Sequence, residues 1–340
     1  MFDPRIEVFS TCPPSSGADA RTYLRDVVRV ARWSEEAGCR GILVYSDNSL
    51  VDPWLVAQVI IEGTRSLCPL VAVQPVYMHP YSVARMAASL GHLYGRRIYL
   101  NMVAGGFKND LTALNDTTPH DRRYHRLIEY TTIIQRLLSG ASAVDFQGEF
   151  YRVDKLKLSP SHPPDLLPGI FISGSSEAGS AAARAIGATA IEYPKPAEDY
   201  RERPAADGGA HGIRVGIITR AAEKDAWDLA RARFPEDRRG QLAHQLAMKV
   251  SDSVWHGQLS QLNAGGETGP YWLVPFQNYK TMCPYLVGSY ERVASELGRY
   301  ASLGYRAFIL DVPREPDELH HANVAFDRAL DRCLSHSQTG

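Results

Sequence analysis

Short apolar segments of strand length alternate with longer segments of helical period along most of the chain, and this alternation limits the possible folds. The strand segments are residues 5–10, 41–46, 70–76, 97–103, 169–174, 188–193, 213–219 and 305–312. Helical sequence follows each strand segment, so the pattern indicates parallel strands joined by helices. An open doubly wound sheet does not normally need eight such units in a row. The sequence therefore predicts a (β/α)8 TIM barrel.

Three stretches are longer than the short loops of a minimal barrel and are interpreted as insertions at its C-terminal face. They cover about residues 105–122, 141–160 and 235–288. The second stretch alternates polar and apolar residues around Gly148, which is typical of a β-hairpin. The third is helical near residues 242–262 and then rich in Gly, Pro and aromatic residues. We expect all 340 residues to form one barrel domain with these insertions.

Charge, cysteine spacing and hydropathy exclude several classes of protein. The formal net charge of −1 gives no electrostatic reason to expect a nucleic acid or membrane partner. The five cysteines lack CxxC or CxxxC spacing, so neither a disulfide framework nor a metal site is predicted. No apolar run approaches the roughly 20 residues of a membrane span, and the N-terminus lacks a signal-peptide pattern. We expect a cytoplasmic protein.

The C-terminal ends of barrel strands are where barrel active sites collect, and the fourth strand segment ends in polar and small residues. Asn101 is followed after two residues by Ala104 and the pair Gly105–Gly106. Asn101 either caps the inner packing or offers its amide to a ligand, and bare glycines let a flat ligand approach the backbone. A plain strand-to-loop transition explains the same residues equally well.

Two helix starts carry further candidate residues. Gly174, Ser175 and Ser176 lie between the fifth strand segment and a helix, where free N–H groups can bind a phosphate. Ordinary capping by serine explains this pattern as well, and without further context it is favoured. His120 and Tyr124 are four residues apart at the start of another helix and can point the same way. A solvated helix entrance is the alternative for this pair.

Five stretches in order resemble the bacterial luciferase-like flavin monooxygenases, and most closely their alkanesulfonate monooxygenase branch. They are VDPWLVA (51–57), NMVAGG (101–106), PHDRRYHRLIEYTTIIQRLLSG (119–140), FISGSSE (171–177) and SLGYRAFILD (302–311). The resemblance implies a TIM barrel that uses reduced FMN from a separate flavin reductase and acts on a small-molecule substrate. It also implies a homo-oligomer, either a dimer or a tetramer.

The resemblance also implies roles for individual residues. Asn101 matches the family asparagine near the isoalloxazine ring, and His120 and Tyr124 match the His and Tyr at the flavin edge. Ser175 and Ser176 match the serines that hold the FMN phosphate. The small residues predicted to leave room for the cofactor are Ala104, Gly105 and Gly174.

The substrate half of the sulfonate site differs from the family pattern. Leu50 stands where the alkanesulfonate branch has a cysteine, and residues 215–227 lack its Arg-x-His pair. Residues 272–289 lack the arginine of the mobile lid loop, and residues 311–318 replace a Tyr-x-His. A sulfonate needs fixed cationic donors, so we expect another substrate. The aromatic residues of the third insertion suggest a partly apolar or aromatic substrate, although packing within the insertion is favoured for them. These are Trp255, Tyr271, Trp272, Phe276 and Tyr279.

The function implied is a two-component monooxygenase that inserts one oxygen atom from dioxygen into a small organic substrate through a flavin C4a-peroxide. The substrate is expected to be something other than a simple alkanesulfonate. Two alternatives stay open: a deazaflavin (F420)-dependent oxidoreductase on the same fold, and a flavin-binding relative without activity.

Overall fold

The computed structural model describes residues 1–105, 107–174, 176–200, 208–249 and 269–337. The chain divides into two compact units. We call residues 12–32 and 41–190 the central unit, and residues 1–11, 33–40 and 191–340 the C-terminal unit.

The secondary structure of the described residues follows the predicted alternation. The strands are β1 (Glu7–Thr11), β2 (Gly41–Val44), β3 (Cys68–Val73), β4 (Tyr99–Met102), β5 (Val144–Gln147), β6 (Arg152–Leu156), β7 (Gly169–Ser173), β8 (Thr189–Glu192), β9 (His211–Arg220), β10 (Tyr271–Trp272), β11 (Tyr285–Ser289) and β12 (Tyr305–Leu310). The helices are α1 (Tyr23–Glu36), α2 (Pro53–Gly63), α3 (Pro80–Tyr94), α4 (Lys108–Ala113), α5 (His120–Leu138), α6 (Glu177–Ile186), α7 (Glu223–Arg233), α8 (Arg238–Lys249), α9 (Val274–Gln277), α10 (Tyr290–Ser302) and α11 (Pro316–Ser337). Short 3-10 helices lie at Pro164–Leu166 and Ala197–Asp199.

The central unit contains the parallel strands β2, β3, β4 and β7 in that order. Asn101 of β4 lies opposite Ala72 of β3 on one side and Phe171 of β7 on the other. All six residues of β3 are buried, as expected for a parallel strand covered on both faces. Helices α3, α5 and α6 pack together beside these strands. Their contacts hold the start of α5 near the end of β7, where the candidate residues lie.

Local sequence sets the helix boundaries of this unit. The side chain of Asp52 accepts a hydrogen bond from the N–H of Trp54, and Pro53 occupies the first helical position of α2. A proline at this position is pre-organised for a helix, and the missing N–H would have no partner there. Helix α3 ends at Gly95, which has a φ of 57° and adopts the left-handed conformation common after helices.

The second insertion forms the predicted hairpin. Strands β5 and β6 pair antiparallel, and the carboxylate of Glu129 accepts hydrogen bonds from the backbone N–H groups of Glu149, Phe150 and Tyr151. A Cβ on Gly148 would lie 2.3 Å from Glu129 Oε2, so this close approach requires glycine. The hairpin is therefore fixed to α5 by one carboxylate.

The C-terminal unit contains β12 between β1 and β9, with β11 parallel to β9. Strand β10 pairs antiparallel with β11. The sequence analysis missed β10 and β11, which lie inside the third predicted insertion. Described residues of that insertion also form α8 and α9, whereas part of the predicted helix at 242–262 and Trp255 lie outside the described residues.

The predicted fold class is confirmed, because the predicted strand segments correspond to β1 to β4, β7 to β9 and β12 of a (β/α)8 barrel. The single-domain assignment for residues 1–340 stays a prediction. Within the described ranges, no helix combines the length and the apolar character that crossing a membrane requires.

Candidate active site

The start of α5 meets the start of α6 at the side chain of Tyr124. Tyr124 is 7% exposed and lies one turn into α5. A Cβ on Gly174, the residue that follows β7, would lie 2.4 Å from the Tyr124 hydroxyl. No other residue fits here without displacing that hydroxyl. The glycine therefore allows the tyrosine to reach the N-terminus of α6.

Ser176 is the N-cap of α6. Its Oγ accepts a hydrogen bond from the N–H of Gly179 at 3.1 Å, so the capping role is confirmed. The predicted phosphate contact of Ser176 is a separate role and stays a prediction. Ser175 and Gly106 lie outside the described residues.

The hydroxyl of Tyr124 is buried and is affected by charges of both signs. Burial raises the pKa of Tyr124, a hydrogen bond from Ser176 and the charge of Arg123 act in the opposite direction, and the charge of Asp121 raises the pKa further. The net shift is upward, so Tyr124 stays protonated at neutral pH. A protonated hydroxyl near a helix N-terminus is suited to donate a hydrogen bond to an anion.

Arg123 was missed by the sequence analysis. It is 4% exposed, although it lies in the first turn of α5, where the helix dipole disfavours a cation. A Cβ on Gly105 would lie 3.2 Å from Arg123 Cδ and 3.0 Å from Leu111 Cδ1. The predicted site residue Gly105 is thus needed for close packing against both side chains. An arginine in an unfavourable helix position was the signal that the sequence offered.

Asn101 is buried at 4% exposure and accepts a hydrogen bond from Ser173 Oγ at 2.9 Å. This hydrogen bond uses Oδ1 of the amide, so Nδ2 is the atom that could donate to a ligand. Ala104, 5% exposed, follows β4 beside Gly105. Asn101 is therefore joined to β7 through Ser173, the residue before Gly174. The sequence analysis did not single out Ser173.

His120 lies at the edge of this cluster, with 30% of its side chain exposed. Its Nδ1 is 2.7 Å from Asp121 Oδ1, and its ring centroid is 5.3 Å from that of Tyr124. The contact with Asp121 engages Nδ1, so Nε2 is the ring nitrogen that could face a ligand. The structure therefore brings the predicted pair His120 and Tyr124 together.

A cavity of about 300 Å³ opens where β2 and β3 end. Its lining residues are Ser46, Asp47, Leu50, Asp52, Pro53, Trp54, Ala72, Val73, Gln74, Tyr77 and Met78. The Tyr77 hydroxyl donates to Asn48 Oδ1 at 2.8 Å, and Asn48 Nδ2 donates to the Asp110 carbonyl at 3.1 Å. These bonds tie the loops after β2 and β3 to α4 of the first insertion. This cavity belongs wholly to the central unit.

Trp272 and Phe276 of the third insertion are buried in the C-terminal unit. Trp272 packs against Trp227 of α7, outside the insertion, with ring centroids 5.6 Å apart, whereas Phe276 packs against His244 within it. Packing accounts for both side chains, although for Trp272 the partner lies outside the insertion. Arg214 lies on β9, one residue before the stretch in which no Arg-x-His pair was found. Because β9 also carries Arg220, the missing Arg-x-His pair is weaker evidence against a sulfonate than the sequence indicated.

The chain folds as a barrel in which the Tyr124 hydroxyl lies beside Gly174, close to the start of α6. The model of the luciferase-like monooxygenases matches residues 5–307, and the chain belongs to this family. A curated relative is the 4-(gamma-L-glutamylamino)butanoyl-[BtrI acyl-carrier protein] monooxygenase BtrO of Niallia circulans. It is 34% identical over 313 residues, which cover 89% of this chain and 91% of that protein.

Solved structures share the fold. Long-chain alkane monooxygenase LadA has a TM-score of 0.72 at 16% identity, covering 97% of this chain and 92% of that one. EDTA monooxygenase EmoA from Chelativorans sp. BNC1 has a TM-score of 0.69 at 15% identity, and the match covers 98% of this chain and 94% of EmoA. An F420-dependent secondary alcohol dehydrogenase has a TM-score of 0.65 at 14% identity, covering 96% and 99%. The family prediction is confirmed, while membership of the alkanesulfonate branch stays a prediction.

Proposed function

We propose that the protein is a reduced-FMN-dependent monooxygenase that receives its flavin from a separate reductase. Family membership and the monooxygenase BtrO support a flavin-dependent monooxygenase. The choice of FMN follows the family resemblance, and the cluster of Tyr124, Arg123 and Ser176 supports a cofactor that carries a phosphate. Reduced FMN, when bound, supplies the electrons that activate dioxygen.

The observation that carries the proposal is the arrangement at the N-terminus of α6. Gly174 clears space for the Tyr124 hydroxyl, and the charge of the buried Arg123 acts on that hydroxyl. Helix N–H groups, a tyrosine O–H and a guanidinium are the donors that a phosphate needs. The residues present thus fit a phosphate-bearing flavin. Ser175 is proposed as a further phosphate contact, by family resemblance alone.

The other site residues would act on the ring and on the reacting atoms. We propose that Asn101 Nδ2 donates to the isoalloxazine ring and that Ala104 and Gly105 give it a close, apolar contact. His120, whose Nδ1 is engaged by Asp121, would use Nε2 to accept or return a proton at the flavin edge. The ring of Tyr124, beside that of His120, would line the same edge, while its single hydroxyl proton would be donated to the phosphate. Together these residues bind, orient and exclude water from the reacting group.

The proposed substrate is a small organic molecule other than a simple alkanesulfonate. BtrO acts on an acyl chain carried by an acyl-carrier protein, as its name states. Because BtrO aligns with 89% of this chain, a substrate with a flexible acyl chain is the class that this relative supports. The cavity beside β2 and β3 would hold the end of such a chain.

Oxygen uptake separates this function from its two alternatives. With reduced FMN supplied by a reductase or dithionite, the purified chain should consume dioxygen and oxygenate its substrate. With NADPH alone it should do neither, since the sequence carries no nicotinamide-binding fingerprint. Substrate turnover with reduced F420 and no oxygen uptake would identify the deazaflavin enzyme. Binding of flavin without any turnover would identify the non-catalytic relative.

Replacement of Ser176 tests the phosphate contact separately from capping. Asp and Asn are both competent N-caps, so Ser176→Asp and Ser176→Asn should fold alike. Only Asp places a negative charge against a phosphate of roughly −1.5 to −2. Ser176→Asp should therefore bind FMN at least about tenfold more weakly than Ser176→Asn, equivalent to about 1.4 kcal/mol.

Riboflavin supplies the control, because it has the same ring and no phosphate. Its dissociation constants for the two variants, measured by flavin fluorescence titration, should agree within about twofold. Equal weakening of FMN and riboflavin would mean that Ser176 is a cap only and that the phosphate lies elsewhere.

A further inference from the structure

The cavity of the central unit is lined by residues of two chemical kinds. Leu50, Trp54 and Met78 give it apolar surface, whereas Asp47 and Asp52 place carboxylates on its lining. Its volume of about 300 Å³ corresponds to about ten groups the size of a water molecule, at roughly 30 Å³ each. A short aliphatic chain with one polar end matches this volume and this mixed lining.

Both carboxylates retain an oxygen for a ligand. Asp47 Oδ1 accepts from the N–H and Oγ of Ser49, and Asp52 Oδ1 accepts from the N–H of Trp54. Among the described residues, neither Asp47 nor Asp52 forms an ion pair. The residues that line the cavity include no Lys, Arg or His. Each Oδ2 is thus available at a site without cationic protein groups.

Tyr77 also lines this cavity, and its pKa responds to the charges nearby. Its pKa is raised to about 12, first by burial and then by the negative charges of Asp110 and Asp47. Burial disfavours a charge of either sign, whereas the charges of Asp110 and Asp47 disfavour a carboxylate or sulfonate and favour a cation.

We infer that this cavity binds an aliphatic segment of the substrate that ends in a primary ammonium, with Asp47 and Asp52 as its counter-ions. The inference rests on the proposed function, because it assigns a substrate class to the same monooxygenase site. An ammonium gains charge-assisted hydrogen bonds to two carboxylates, while the alkyl stem packs on Trp54 and Leu50. An anionic end would meet like charge and no cationic donor.

Three ligands of equal length test the inference: hexylamine, hexan-1-ol and hexanoate. Isothermal titration of the full chain at neutral pH should give a dissociation constant for hexylamine at least about tenfold below that of hexanoate. In the double variant Asp47→Asn/Asp52→Asn this preference should shrink to within about twofold. Asn keeps the turn at residue 47 and the cap of α2, so the variant should fold.

A matched control removes two charges elsewhere in the same unit. Asp145 and Asp154 are exposed on the β5–β6 hairpin, and Asp145 accepts a backbone hydrogen bond from Lys155 as Asp52 does from Trp54. Asp145→Asn/Asp154→Asn should keep the preference of the wild-type protein for hexylamine. Loss of the preference in this control would attribute it to net charge and overturn the inference.

Three further outcomes would also overturn it. They are equal or tighter binding of hexanoate, a preference for hexylamine that survives in Asp47→Asn/Asp52→Asn, and displacement of hexylamine by riboflavin, which would assign the cavity to the flavin. FMN affinity, measured on the same variants, should be unchanged. If FMN fails to bind the wild-type protein as well, the proposed function fails independently of this cavity.

Discussion

Two buried polar clusters, one in each unit, differ in how their hydrogen bonds are used. In the C-terminal unit, Glu192 accepts hydrogen bonds from the hydroxyl of Tyr200 at 3.1 Å and from that of Tyr305. In the central unit, the Tyr124 hydroxyl lies beside Gly174 and the N-terminus of α6. Both clusters contain a group whose pKa is raised by burial, namely Glu192 and Tyr124.

The difference shows that a shifted pKa does not by itself mark a functional site. The Glu192 cluster pairs its polar atoms with one another, and its rings pack edge to face, with Tyr200 and Tyr305 centroids 6.0 Å apart. The Tyr124 cluster instead combines a helix N-terminus with a glycine that keeps its approach open. We therefore propose that the first cluster serves stability and the second binds a ligand.

The largest expected effect comes from Gly174→Ala, which places a Cβ 2.4 Å from the Tyr124 hydroxyl. Overpacking of this kind costs about 1–3 kcal/mol. If the hydroxyl moves to relieve it, the site loses a donor, and FMN affinity should fall by about tenfold or more. Fluorescence titration measures the affinity, and urea unfolding measures the free energy of unfolding.

Two variants sharpen this comparison. Gly174→Ala/Tyr124→Phe removes the atom that collides, so it should recover stability without recovering FMN affinity. Gly216→Ala is the matched control in the C-terminal unit, because a Cβ on Gly216 would lie 2.3 Å from Tyr285 Cζ. It should lower stability and leave the FMN affinity of the folded protein unchanged. If Gly216→Ala weakens FMN binding as much as Gly174→Ala, the proposed division of roles is wrong.

The regular part of the fold could be predicted from the sequence because its signals are local. Period-two and period-3.6 patterns identified the barrel strands and the hairpin around Gly148. Strand β10 has two residues, too few for a periodic signal, and β11 lies in a stretch dominated by aromatic and loop-forming residues. Those two strands depend on tertiary pairing, which no local pattern reports.

The candidate site also contains residues that the sequence predicted and residues that it did not. Asn101, His120, Tyr124 and Ser176 stood at the ends of elements and were predicted by position and resemblance. The cavity is formed by Gln74, Tyr77 and residues after β2, which the chain brings together only when parallel strands align. Arg123 was missed because its burial depends on Leu111 and Gly105 in another segment. Contacts between distant segments are the part that sequence patterns do not contain.

The smallest expected effect concerns Glu192 and tests its structural role through pH. Burial raises the pKa of Glu192 above its ordinary value of 4.5, against a hydrogen bond from Tyr200 and the charges of His211 and Lys195. Between the unfolded and folded pKa values, the native state binds more protons than the unfolded state. The contribution of Glu192 is thus fully present below about pH 4.5 and lost as pH rises through the folded pKa.

Glu192→Gln removes this titration while Oε1 still accepts from both tyrosine hydroxyls. The difference in the free energy of unfolding, wild type minus Glu192→Gln, should therefore decrease as pH rises from 4.5, by about 1.4 kcal/mol for each unit separating the two pKa values. Glu296, whose pKa is also raised by burial, titrates in both proteins and cancels in the difference. Urea unfolding of both proteins at a series of pH values measures this difference in the free energy of unfolding. A difference that stays constant or increases with pH would show that Glu192 is ionised in the folded protein without cost. In that case the Glu192 cluster would accommodate a negative charge, as the Tyr124 cluster is proposed to do for a phosphate. The two clusters would then differ only in whether they leave space for a ligand.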